Sequence, residues 1–336
     1  MFNRPQLIYV ALLLLLLNAC SRDNNTPPTY TINGGATKGP LINALVTVYK
    51  FDSSQPGFKG ELIDSGTTDS RAVIVDLALP LPLTPPYIME FTSTPGTTID
   101  MTTGVFPVMS HLSTVITQAM LDGGNPLYAT PLTTLAVEIA KNNASSNIKA
   151  ADFLLKITSA ATQVITTVGF GMPLNIDIFT TPPLLNDTVN TSSKRYEMLA
   201  YRTAIEALTA VVFQMQQATN TGFDSDAILE ELAKDLSDGL VDGNVNDTFS
   251  QVYDSTILNL FTQNPATLMI PNAANGETVA QVIDILIAET LTTGSTASIS
   301  ELSSGDITFV ITPANTTAVN NAVWDRFNWN ENNVWQ

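Results

Sequence analysis

The chain has 336 residues, with 14 Lys and Arg against 31 Asp and Glu, a formal net charge of −17 and only 13% charged residues. This acid excess argues against nucleic acid as a partner, which needs clustered Lys and Arg to neutralise phosphates, and against a body lying on an anionic membrane surface. One Cys (Cys20) and one His (His111) leave no disulfide in the body and nearly exclude a zinc site of the usual His/Cys kind.

In chain order, Arg4 precedes an unbroken apolar run from Leu7 to Leu17. That is too short for a bilayer span, which takes about 20 residues. A basic start, an apolar run of this size and small residues before a cut site make a secretory signal. The run ends in Leu17-Asn18-Ala19-Cys20, which resembles the lipobox of bacterial lipoproteins. The resemblance implies cleavage before Cys20, diacylation of its thiol and acylation of the new amine. Two or three acyl chains anchor stably where one gives marginal binding. Ser21 follows the Cys. In the Gram-negative sorting pattern that this resembles, Asp there retains a lipoprotein in the inner membrane, whereas Ser permits transfer to the outer membrane.

The segment after Cys20 (SRDNNTPPT) is polar and Pro-containing, and reads as a tether. From Gly34 to Thr92 the pattern is β. Ala44, Val46 and Val48 alternate with 45, 47 and 49 and are expected to face a core. Further strands are expected at 60–65, 72–77 and 87–92, with a turn at Thr68-Asp69-Ser70. Four prolines between 80 and 86 favour extended, unpaired backbone. Lys38-Gly39-Pro40-Leu41, Ala44-x-Val46-x-Val48-Tyr49, Gly60-Glu61-Leu62 and Thr67-Thr68-Asp69 together resemble the prealbumin-like, or carboxypeptidase-regulatory-like, β-sandwich found at the N-terminus of outer-membrane lipoproteins. The Gly usual two places after the turn Asp is Arg71 here.

The stretch from Val108 to Met120 fits a helix by its apolar spacing, while the resemblance implies a strand. At Thr130-Pro131 a cap and a Pro at the first helical position open a helix with Leu132, Leu135, Ala136, Ile139 and Ala140 on one face. Thr130-Pro131-Leu132-Thr133 with Leu135-Ala136 is similar to a segment that follows the sandwich in the same lipoproteins. Period-3.6 stripes predict more helices over 148–168, 196–217, 227–236, 249–261 and 278–291, with Gly222, Gly239 and Gly294 where C-caps would fall. A short β-type run covers Ile307–Thr312. All three tryptophans, Trp324, Trp329 and Trp335, lie in the last thirteen residues.

Candidates for chemistry are few. His111 could act as a base toward Ser110 or Ser113, but the chain has no Gly-x-Ser-x-Gly elbow, and a structural or surface His is the simpler reading. Asp235, Asp238, Asp242, Asn244, Asn246 and Asp247, interleaved with glycines, offer the oxygen ligands that suit Ca²⁺. Their spacing is not that of an EF-hand loop, and a helix cap with a tight turn uses the same residues. Glu90, between apolar neighbours, is expected to face outward by alternation, or to pair with Lys38 or Lys50 across the sandwich. The tryptophans either pack on the body or bind a sugar or protein partner by stacking.

The expectation is an α+β lipoprotein in which a small β-sandwich domain is followed by a larger, mostly α-helical domain. Residues 1–19 are the signal, 20–33 the lipidated tether, 34–106 the sandwich, 107–129 a connecting segment and 130–336 the helical domain with its aromatic tail. The function expected is non-catalytic binding or scaffolding at the outer membrane. The alternatives are a structural lipoprotein with a calcium site and a carboxylate-dependent hydrolase. The membrane is reached through Cys20, no organic cofactor is implied, and a protein or carbohydrate ligand fits the aromatic tail.

Overall fold

The computed structural model describes residues 28–219, 222–245, 248–250 and 259–316. Cys20, Ser21, Asn246, Asp247, Trp324, Trp329 and Trp335 lie outside the described residues.

Short strands β1 (Thr29–Thr31), β2 (Gly34–Ala36) and β3 (Leu41–Ile42) lead into the long strands β4 (Leu45–Phe51) and β5 (Lys59–Thr68). Strands β6 (Ile74–Val75), β7 (Ala78–Pro80), β8 (Tyr87–Thr92), β9 (Ile99–Asp100) and β10 (His111–Ile116) follow. Helix α1 (Gln118–Gly123) and strand β11 (Leu127–Ala129) precede the helices α2 (Pro131–Asn142), α3 (Ala150–Val168), α4 (Ser192–Ala218) and α5 (Ser225–Asp235). A 3-10 turn at Leu236–Asp238 extends α5, and a small hairpin of β12 (Asn244–Val245) and β13 (Thr248–Phe249), then α6 (Val282–Thr293) and α7 (Ser300–Ser303), follow. The architecture is mixed α+β around a curled sheet.

That sheet is antiparallel and ordered β10-β8-β4-β5-β6. At β4, Val46 and Val48, with Ala44 just before the strand, are fully buried while Leu45 is exposed, as alternation predicts. Val46 and Val48 sit beside Phe91 and Met89 of β8. The second face of β8 is buried as well, with Ile88 and Glu90 covered, so β8 reads as buried on both sides. The turn from β5 to β6 is organised by Asp69, whose carboxylate accepts from the backbone N–H of Arg71 (2.8 Å) and Val73 (3.0 Å). The left-handed position in this turn is Ala72 (φ 60°), one place beyond Arg71.

Strand β10 shows that the sheet does not end at Phe106. The segment 107–129, expected to be a connection, supplies β10 as a partner of β8 and β11 as a parallel partner of β2. Val108–Met120 is therefore strand first and only then helix. What holds β10 is the start of α2. Thr130 caps that helix, accepting from the Thr133 N–H (3.1 Å), while Thr133 Oγ1 accepts from the Thr130 N–H (2.8 Å). The Thr133 hydroxyl also donates to the Ser113 carbonyl (2.8 Å), and Thr134 Oγ1 accepts from the Ser113 N–H (2.8 Å). Threonine hydroxyls thus occupy backbone groups that a bare sheet edge would leave open to other chains.

The buried apolar residues form one cluster from Ile32 through Ala314, so the sheet and the helices share a core. Phe51 and Phe58 of the sheet region pack on Phe153 of α3 with ring centroids 4.7 Å and 5.4 Å away. Helix α4 is the central rod, buried along most of its length.

Three expectations change. Ile307–Thr312 belongs to no strand; it lies extended, and Thr312 N–H donates to the Phe170 carbonyl (3.0 Å) past the end of α3. Its β-forming residues meet a helix terminus instead of a sheet edge. The predicted helix 249–261 is a strand residue at Phe249 and one 3-10 turn at Asn259–Thr262, with 251–258 outside the described residues. Helix α4 ends at Thr219 in extended conformation, so Gly222 lies past the cap, while Gly239 and Gly294 do cap helices in left-handed geometry.

Thr130→Ala removes the cap and a buried 2.8 Å contact with the Tyr201 hydroxyl. Urea denaturation of this variant is expected to show a loss of about 2 kcal/mol, at the upper end of cap deletions.

Candidate functional site

Five charged side chains meet in the interior where sheet and helices join. Lys38 occupies the tight turn between β2 and β3, closed by pairing of Thr37 with Pro40. Asp100 comes from β9, which pairs with β3 in the register Leu41 opposite Asp100. Arg202 and Glu206 lie one turn apart on α4, and Glu289 projects from α6. Lys38, Arg202 and Glu206 are 0% exposed, Asp100 1% and Glu289 5%.

Arg202 organises this cluster. Its Nε donates to Glu206 Oε1 (2.9 Å), Nη1 to Glu289 Oε2 (2.9 Å) and to the Pro183 carbonyl (3.3 Å), and Nη2 to Glu289 Oε1 (2.6 Å) and Thr102 Oγ1 (3.1 Å). Thr102 donates its hydroxyl to Glu289 Oε1 (2.6 Å) and its backbone N–H to Asp100 Oδ1 (2.8 Å). Lys38 Nζ stands 3.3 Å from Asp100 Oδ2 and 3.6 Å from Glu206 Oε2. Gly39 is needed here, because a Cβ would collide with Thr102 Oγ1 and Asp100 Oδ1. Burial is the largest influence on Glu206 and pushes its carboxyl up. Burial also opposes the Lys38 ammonium, but Asp100 and Glu206 outweigh it and hold Lys38 above the ordinary lysine range.

A second constellation lies on the sheet. Glu90 is 5% exposed and pairs with Lys59 (3.0 Å) and His111 (3.6 Å). Its partners are therefore neither Lys38 nor Lys50. Alternation does place Glu90 on the face opposite Phe91 and Met89, but that face is covered. Burial raises the Glu90 carboxyl, and the bonds from His111 and Lys59 reverse this and bring it to about 2. The hydrogen bond to Glu90 holds His111 above its ordinary value. Ser110 does not face the imidazole as a nucleophile: its hydroxyl donates to Asp226 Oδ2 (2.5 Å), which also accepts the Ser110 N–H (2.9 Å).

In the Asp-rich segment, the described members serve the backbone. Buried Asp235 accepts from the N–H groups of Asp242 and Gly243, both at 3.2 Å. Asp238 accepts from Leu240 N–H (2.9 Å) and Asp242 from Asn244 N–H (2.9 Å). No cluster of three or more acidic, His or Cys ligands forms among the described residues.

A cavity of about 410 Å³ opens where β10, α1, α3 and the 174–180 loop converge. Val115, Met120, Leu154, Ile157, Ile165 and Leu174 supply its apolar wall. Thr117, Asn125 and Asp177 are the polar groups at hand. Its size and mostly apolar lining are those of a small-molecule site.

Asp100, Glu289, Arg202 and Glu206 were not apparent as a group from the sequence. The available signal was an Arg202–Glu206 pair at helical spacing inside the apolar stretch from Leu199 to Val212. Compared with protein-family models, curated proteins and solved structures, the chain matches none.

Arg202→Met leaves buried Glu289 without its cation and Glu206 with Lys38 alone, and urea denaturation should show roughly 3–5 kcal/mol lost, as for a broken buried pair. The Glu90–His111 pair gives a pH signature. Glu90 is lowered on folding, so its stabilisation is present above the ordinary 4.5 and is lost as pH falls toward about 2. His111 is raised, so its contribution is complete below the ordinary 6.5 and is lost as pH climbs through its folded value. Unfolding free energy measured from pH 6 to 9 should decline in the parent, and this part of the decline should vanish in His111→Gln.

Proposed function

We propose that this chain is a lipid-anchored lipoprotein of the outer membrane whose folded body is a non-catalytic binding module for a small, largely apolar ligand. The single observation that carries the binding role is the 410 Å³ cavity bounded by Val115, Leu154, Ile157 and Ile165. It lies where the rigid sheet edge meets α3, so a ligand there would touch elements that do not need to fold around it. The anchor rests on Leu17-Asn18-Ala19-Cys20, and the outer-membrane assignment on Ser21. The curled sheet, with Val46 and Val48 turned inward and a tight turn at Asp69, is read as a variant of the prealbumin-like sandwich on which the helices are built.

The cationic and acidic groups closest to catalytic type support the non-catalytic reading. Lys59, His111 and Glu90 neutralise one another, and Asp226 is bound by Ser110. These arrangements stabilise the fold without presenting a free base to a substrate.

Anilinonaphthalene sulfonate is a suitable fluorescent probe of the cavity. Ala161→Trp, which fills the wall, should weaken its binding by tenfold or more while leaving the urea midpoint within a small margin of the parent. Unchanged binding would remove the cavity as the site. Cys20→Ser should move the protein from the membrane pellet to the soluble fraction. Protease treatment of intact cells carrying a C-terminal tag then tells which side of the outer membrane the body occupies.

A further inference from the structure

The interior holds a lysine and an aspartate in contact, each with a polar atom that forms no hydrogen bond of good geometry. These atoms are Lys38 Nζ and Asp100 Oδ2, and Glu206 Oε2 beside them is a third. Buried polar atoms are almost always satisfied, so three neighbouring ones require a reason. We propose that Lys38 and Asp100 are the two halves of a self-formed amide crosslink, with Glu206 as the group that moves the protons.

The geometry meets each need of the reaction. Nζ stands 3.3 Å from Oδ2, so the nitrogen lies directly against the carboxyl group whose Cγ it would attack. The Asp100 carboxyl cannot turn away, because Oδ1 holds the Thr102 N–H at 2.8 Å. That same N–H faces the oxygen on which negative charge grows when the amine adds to Cγ. The Glu206 carboxylate, 3.6 Å from Nζ on its other oxygen from the one bound by Arg202, is placed to take a proton from the ammonium. Water is kept out, since Lys38 and Glu206 are 0% exposed and Asp100 1%. Condensation replaces this ammonium–carboxylate pair, buried away from water, with a neutral amide.

The step balances without an added reagent. The ammonium of Lys38 gives one proton to Glu206, and the free amine forms an N–C bond at Asp100 Cγ. Oδ2 departs as water, carrying one hydrogen from the nitrogen and the one held by Glu206. The three hydrogens of the ammonium end as one amide N–H and two on water, and Oδ1 remains as the amide oxygen. Arg202 keeps Glu206 and Glu289 paired throughout.

The test is peptide mass spectrometry of the full-length protein after digestion with trypsin. The expected result is no cleavage after Lys38, and a branched peptide joining the Lys38 and Asp100 segments, lighter than their sum by one water. Recovery of linear peptides containing unmodified Lys38 and Asp100 overturns the proposal. So does a water loss that maps to Asp122-Gly123, Asp238-Gly239 or Asp242-Gly243, where an aspartyl residue can cyclise on its own. Asp100→Asn should give a branched peptide of the same mass as the parent's, because ammonia leaves in place of water. Glu206→Gln should reduce the branched fraction at least tenfold, and an undiminished fraction would remove Glu206 from the mechanism. Because the first measurement is made on the unaltered protein, it decides the matter even where a variant folds poorly.

Discussion

The structure depends on the neutralisation of charge inside it. Two cations and three carboxylates are buried where the β3–β9 pair, α4 and α6 meet. Taking one such ion out of water costs several kcal/mol even after relaxation, so the elements that carry them can dock only in the arrangement that pairs every charge. Arg202 does most of this, because its planar fork serves Glu206 on one edge and Glu289 on the other. The position of the Lys38 turn follows. Gly39 lets the backbone come close enough to Asp100 and Thr102 for the lysine to enter the cluster from the sheet side.

Around this point the remaining contacts set distances. The threonines that open α2 bond both backbone groups of Ser113, which fixes the helix against the sheet edge. Tyr201 of α4 links the same cap to the loop at Ile178 through its hydroxyl (2.7 Å to the carbonyl). That loop forms one wall of the cavity, with α3 opposite. Charge cluster, helix cap and cavity wall are thus tied through a few side chains of α4 and α2.

Local signals were readable from the sequence wherever one neighbour decides the outcome. The alternation of Val46 and Val48 needs only a core on one side, and Thr130-Pro131 needs only the helix it starts. The cluster was not readable, because its members come from Lys38, Asp100, Arg202 and Glu289, and no local pattern links such distant positions. An Arg and a Glu one turn apart on a helix are commonly a solvated pair; only the apolar residues on both sides of Arg202 and Glu206 hinted otherwise. Glu90 was placed on the correct face by alternation, but what covers that face is set by Lys59 and His111 from other strands. Ile307–Thr312 carries strand-forming residues, yet a strand exists only where an edge receives it, and here a helix end does.

The shared core also bears on the order in which the chain can become itself. A ribosome releases Lys38 and β2 long before Glu206, Glu289 and β11, which are their partners. Until α4 emerges, the β3–β9 pair would have to enclose an ammonium without its second carboxylate, and Ser113 would lack the hydroxyls of α2. Such dependence on partners distant in sequence slows folding, because the closure of long loops precedes the contacts that reward it.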